Sequence, residues 1–129
     1  MEDESAVAAM APAFEDLVRT CPVPASIVDE PWSEHGPSLM LMAPDGSGMG
    51  VWVDLALDGA ERVAHVAEQV QEWAVEALWG AGAPAVWPSC PTHPDTHPLK
   101  ATVLAGQPVW LCPVDETDEA PIGRLVDYV

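Results

Sequence analysis

A chain of 129 residues, 49% of them hydrophobic, is long enough to bury one modest core without help from cross-links. Its 21 acidic residues are set against only Arg19, Arg62, Lys100 and Arg124, a net charge of −17, so no basic patch for nucleic-acid phosphate can be assembled. No apolar run approaches the roughly eighteen residues that cross a bilayer, and Glu2, Asp3 and Glu4 stand where a secretory leader would be basic, so the chain reads as cytoplasmic with its three cysteines reduced.

In chain order, the first predicted element is an Ala-rich helix over residues 3–19, with Val7, Met10, Phe14, Leu17 and Val18 spaced to share one face. It stops before Cys21-Pro22, because proline disfavours helical geometry in the residue before it. Ala25–Val28 reads as a short strand and Glu30–Pro37 as loop. Leu39–Ala43 and Met49–Leu57 read as two strands of a hairpin turned by Pro44-Asp45-Gly46-Ser47-Gly48. In the second of these, Val51, Val53, Leu55 and Leu57 alternate with Trp52, Asp54 and Asp58, which predicts one buried face.

A second helix is predicted from Gly59 to Trp79, with Asp58 as N-cap, Glu61 in the capping-box position, and Gly80 and Gly82 as its stop. Its apolar stripe is Val63, Val66, Ala67, Val70, Trp73, Ala74, Ala77 and Leu78. His65, Glu68, Gln69, Glu72 and Glu76 form a solvated face, since no second carboxylate-bearing helix is present to make a di-metal site. Lys100–Leu104 and Pro108–Cys112 then read as a hairpin about Ala105-Gly106-Gln107.

The site chemistry lies just before and after that hairpin. Cys90 and His93 are two soft ligands separated by two residues, with Pro91 fixing φ inside a tight knuckle; His97 follows four residues later. Cross-hairpin pairing sets Cys112 opposite Leu99 or Ala101, beside the knuckle. Two thiolates and two imidazoles suit a closed tetrahedral zinc site, with about 2.3 Å to sulfur and about 2.0 Å to nitrogen, and leave no position for a catalytic water.

With Cys90-Pro91-Thr92-His93 as first knuckle, Gly106 at the turn and Trp110-Leu111-Cys112-Pro113 as second knuckle, residues 87–125 resemble a zinc ribbon. The layout is also similar to the C-terminal part of small proteins of high-GC actinobacteria. The resemblance implies a structural zinc held by Cys90, His93, Cys112 and a fourth ligand. Asp115 stands where a full ribbon carries Cys or His, so the fourth is His97 or Asp115. His97 is favoured because Cys and His hold structural zinc more commonly than carboxylate does. Cys21, a lone cysteine after a helix, is expected to be buried rather than to ligate.

No Gly-rich phosphate loop, nucleophile elbow or zinc-hydrolase helix motif is present. The expectation is therefore a single α+β domain over 1–129, comprising a small antiparallel sheet covered by two helices (1–86) and a metal-binding hairpin with an acidic C-terminal segment (87–129). Its predicted role is an acidic protein-interaction or adaptor module that binds a basic protein partner, with neither nucleic acid nor membrane contacted directly. The alternatives are a hydrolase with an open zinc position and a thiol redox sensor built on Cys90 and Cys112. Acidic runs at 2–4 and 115–119 are the expected contact points, and Trp32, in a loop with His35, is the tryptophan most suited to a docking patch.

Overall fold

The structure, a computed structural model, describes residues 4–94, 96–114, 116 and 118–127. Two helices, α1 (Glu4–Thr20) and α2 (Gly59–Gly80), pack on each other and on two separate three-stranded antiparallel sheets. The first sheet has the order β1 (Ser26–Val28), β2 (Ser38–Met42), β3 (Gly48–Trp52); the second has β4 (Lys100–Leu104), β5 (Gln107–Leu111), β6 (Glu119–Pro121). This is the α+β architecture that the sequence predicts, with a second sheet where only a hairpin was expected.

α2 forms where its local signals place it. The Asp58 carboxylate accepts the Glu61 N–H at 3.0 Å, and Gly82 adopts a left-handed φ of 72° just past the last turn. Its predicted stripe is the buried one, with Val66, Val70, Trp73 and Leu78 closing over Leu41 and Val51, the inward residues of the first sheet, in one apolar cluster. Fully burying one such Val or Leu contributes about 1.5–3 kcal/mol, and helix and sheet each supply a face that the other removes from water.

β3 ends five residues before the predicted boundary. The chain turns because the Asp54 carboxylate accepts the Ala56 N–H at 3.0 Å and the Asp54 carbonyl accepts the Leu57 N–H. Val51 and Val53 are fully buried, whereas Leu55 is 40% exposed, so the inward alternation stops at Val53. The side chain of Gln69 on α2 then acts as a short neighbouring strand: its Oε1 accepts the Trp52 N–H at 3.0 Å and its Nε2 donates to the Trp52 carbonyl at 2.9 Å.

α1 is rotated from the predicted phase. Its buried face is Ala6, Ala9, Met10, Ala13, Asp16 and Leu17, while Val7 and Val18 are 46% and 65% exposed. Small residues let α1 approach α2 closely, and the rotation brings Asp16 inward, where it is 1% exposed. The Asp16 carboxylate accepts from the Trp110 indole at 2.8 Å and from the backbone N–H groups of Gly123 and Leu125 at 2.7 and 2.9 Å. One side chain of the first helix thus fixes the middle strand of the second sheet and the turn after its last strand.

The turn between β4 and β5 is Ala105-Gly106 alone, with φ of 51° and 78°, the twist that a two-residue hairpin requires. The register pairs Lys100 with Leu111 and Ala101 with Trp110, which leaves Cys112 one step beyond, level with Leu99. β6, unforeseen from the sequence, pairs Ala120 with Trp110.

Burial raises the Asp16 carboxyl above its ordinary value, against the opposing pull of the Trp110, Gly123 and Leu125 hydrogen bonds. Because the folded state holds this proton more tightly than the unfolded state, the stability linked to Asp16 grows as pH falls through the folded value. Replacing Asp16 by Ala leaves three buried donors without an acceptor, at about 1–3 kcal/mol for each group. Thermal unfolding of Asp16→Ala is expected to show a midpoint lower by about 10 °C or more, with the gap to the parent chain widening as pH falls. A midpoint within about 2 °C of the parent would refute the anchoring role.

Candidate metal centre

The knuckle is the tip of a loop whose two stems are tied together. The Leu99 N–H donates to the Pro88 carbonyl at 2.8 Å, Ser89 bridges to Pro98, and the Gln71 side chain of α2 donates to the carbonyls of Leu99 and Trp87 at 2.6 and 3.2 Å. Within the loop, the His93 N–H donates to the Cys90 carbonyl at 3.1 Å and the Thr96 N–H to the His93 carbonyl at 3.2 Å. These two successive turns carry Cys90, His93 and His97 onto one side. Cys112 arrives from the end of β5, where its N–H donates to the Asp118 carbonyl at 2.9 Å and its own carbonyl accepts from Glu116.

The four ligand atoms of Cys90, His93, His97 and Cys112 all lie within 4.8 Å of one another. The His93 Nδ1 is 3.5 Å from the Cys90 Sγ and 3.8 Å from the Cys112 Sγ, and the His97 Nε2 is 3.9 Å from the Cys112 Sγ. A tetrahedron with about 2.3 Å to sulfur and about 2.0 Å to nitrogen has sulfur-to-nitrogen edges of about 3.5 Å. The side chains therefore stand close to the corners of such a polyhedron, and a cluster of two thiols and two imidazoles with this spacing can hold a metal ion.

Several local contacts orient the donors. The His97 Nδ1 lies 3.0 Å from the Pro98 carbonyl, a contact only a protonated nitrogen can make, which leaves the Nε2 lone pair pointed into the cluster. The two imidazoles stand with ring centres 4.8 Å apart. Both sulfurs belong to fully buried residues, whereas the histidines are half-buried at the rim. Burial pushes the Cys90 thiol up, the backbone N–H groups of His93 and Thr92 favour the thiolate, and the Asp118 carboxylate opposes it. A cation replacing the Cys90 proton would offset that burial.

Trp87 and Trp110 belong to the same buried apolar cluster as the two cysteines and pack edge to face with ring centres 5.5 Å apart. Each is held by α1, Trp87 through its indole N–H to the Thr20 hydroxyl at 2.9 Å and Trp110 through Asp16. Cys90 and Cys112 are themselves fully buried, which keeps the sulfurs away from water.

All four side chains singled out from the sequence come together. Asp115, the other candidate for fourth ligand, lies outside the described residues. Cys21 is half-buried at the end of α1 and is not in the cluster. The carboxylate that the structure does place beside the knuckle is Asp118, with its Oδ2 3.3 Å from the Cys90 Sγ and 3.2 Å from the Thr92 nitrogen. It was hidden within an acidic run, and only the return of the chain into β6 reveals it. His35 and His65 lie elsewhere, against the Trp52 ring. Among the described residues, no helix is long and apolar enough to cross a membrane. No protein-family model matches this chain, and neither a curated protein nor a solved structure matches it.

Proposed function

We propose that Cys90, His93, His97 and Cys112 bind one zinc ion in a closed structural site, and that the chain is an acidic protein-interaction module whose C-terminal half the metal holds in shape. The observation that carries this reading is the convergence of four ligand atoms within 4.8 Å of one another, near the corners of a zinc tetrahedron. Four protein donors complete the coordination of zinc, so the chemistry of this site is mechanical. The ion clamps the 88–98 loop to the end of β5. Two sulfurs and two imidazoles match a borderline-soft ion better than magnesium or calcium, which take oxygen.

Full burial of both sulfurs disfavours a thiol sensor that must meet an oxidant in solution. The net charge of −17 sets the chain apart from nucleic-acid-binding zinc modules and favours a basic protein as partner.

Elemental mass spectrometry on the untagged chain, purified without chelator, is expected to find one equivalent of zinc; a metal-free chain with three titratable thiols would reject the site. Cys90→Ser and Cys112→Ser are each expected to abolish zinc retention, whereas Cys21→Ser retains a full equivalent. Since structural zinc can supply about 10 kcal/mol of apparent binding free energy, partial coupling to folding should lower the melting midpoint of either site variant by about 10 °C. Unchanged midpoints in both would remove the structural role even if metal were bound.

A further inference from the structure

We infer that the outer face of the first sheet is a docking surface for a cationic amphipathic segment of a partner protein, an inference that rests on reading the chain as an interaction module. The register aligns Val28, Met40 and Gly50 across the three strands, and Ser26, Met42 and Gly48 in the next row. Because Leu41 and Val51 on the alternate positions are fully buried against α2, side-chain alternation turns Val28, Met40 and Met42 to the opposite side. There Val28 is 39% exposed and both methionines are half-buried.

The two glycines on this face are occupied from outside their own strand. A Cβ at Gly50 would collide with the Trp32 indole, and one at Gly48 with the Met42 thioether. Trp32 is locked in place by its indole N–H donating to the Leu39 carbonyl at 2.9 Å and by its backbone N–H donating to the Ser38 hydroxyl at 2.9 Å, yet it stays 48% exposed. An orientation-fixed, half-exposed tryptophan beside two methionines is an anchor with adaptable neighbours, the combination that binding surfaces favour.

Charge selects the occupant. Between Arg19 and Arg62 the chain has seven carboxylates and neither Lys nor Arg, and Asp29, Glu30 and Glu34 are exposed on the segment that carries Trp32. Lysine and arginine side chains lay apolar stems over such a floor, place their charges at the acidic rim, and stack favourably on indole. Anionic lipid or nucleic acid would be repelled, and a second copy would bring its own −17 to the contact.

The test uses the zinc-loaded full chain and a synthetic amphipathic leucine–lysine peptide, read by tryptophan fluorescence and calorimetry, with leucine–glutamate and serine–lysine peptides as controls. The leucine–lysine peptide is expected to bind with a micromolar Kd, and both controls about tenfold more weakly or worse. Asp29→Lys, Glu30→Lys and Glu34→Lys together are expected to weaken binding about tenfold, while Glu68→Lys, Glu72→Lys and Glu76→Lys together, exposed on α2, change it less than about twofold. Val28→Ser with Met40→Ser, with folding checked by circular dichroism, should weaken binding about fivefold at unchanged charge.

Equal losses from the two charge-reversed triples, or equal affinity for the serine–lysine peptide, would reduce the contact to bulk electrostatics and overturn the inference. Binding of the leucine–glutamate peptide, or self-association in sedimentation lost on Val28→Ser with Met40→Ser, would overturn it in favour of another occupant. A parent chain that carries no zinc yet binds the leucine–lysine peptide removes the metal reading and leaves this one; a zinc-loaded chain without peptide affinity does the reverse.

Discussion

The carboxylate of Asp16 is the constraint on which the arrangement depends. It spans 94 residues to the Trp110 indole and more than a hundred to the N–H groups of Gly123 and Leu125. The two backbone donors follow β6, so a single side chain on the first helix determines where the last strand can end. Through Trp110 it also steadies the apolar cluster that contains Cys90 and Cys112, joined there by Trp87 and its bond to Thr20. Burying a carboxylate among three neutral donors is unfavourable in isolation and tolerable only when all three bonds are made together. That all-or-none character ties α1 to the second sheet more specifically than alanine packing could.

A chain carrying −17 repels itself, and the protein manages this by segregating charge from its core. Asp16 is the one carboxylate among the fully buried side chains of the described residues. Both ion pairs among the described residues, Arg19 with Glu15 and Arg124 with Asp127, are exposed and close in sequence, and contribute little to holding distant parts together. Long-range cohesion comes instead from neutral donors: Gln69 on the edge of β3, Gln71 on the stems of the knuckle loop, and the indoles of Trp87 and Trp110. A cation bound by two thiolates would extend the same logic, since it adds positive charge where the chain has almost none of its own.

The sequence was most legible where structure is decided locally. α2 declares itself by its cap, its stripe and its glycine stop, and the 104–107 turn by Ala-Gly between alternating runs. The knuckle was legible for the same reason, because Cys90, His93 and His97 lie on two consecutive turns and the hairpin register fixes Cys112. What could not be read depends on contacts distant in sequence. Large side chains suggested the wrong phase for α1, where alanines and Asp16 face inward and Val7 and Val18 outward. Alternation in the sequence predicts a longer β3 than the structure has, because it continues after Asp54 has already turned the chain. β6 and the placement of Asp118 were concealed in a stretch that composition alone marks as solvated.

Gln69 carries a consequence for how the first sheet can grow. By taking both backbone groups of Trp52, it occupies one flank of the sheet at the position where an added strand would pair. The opposite flank is β1, only three residues long, and the Val28 carbonyl there is engaged by the Glu30 N–H at 2.9 Å. Neither side offers the long ladder of unpaired groups from which fibrils propagate. The sheet can thus display methionine and tryptophan on its open face while its edges present only short runs for an added strand to pair with.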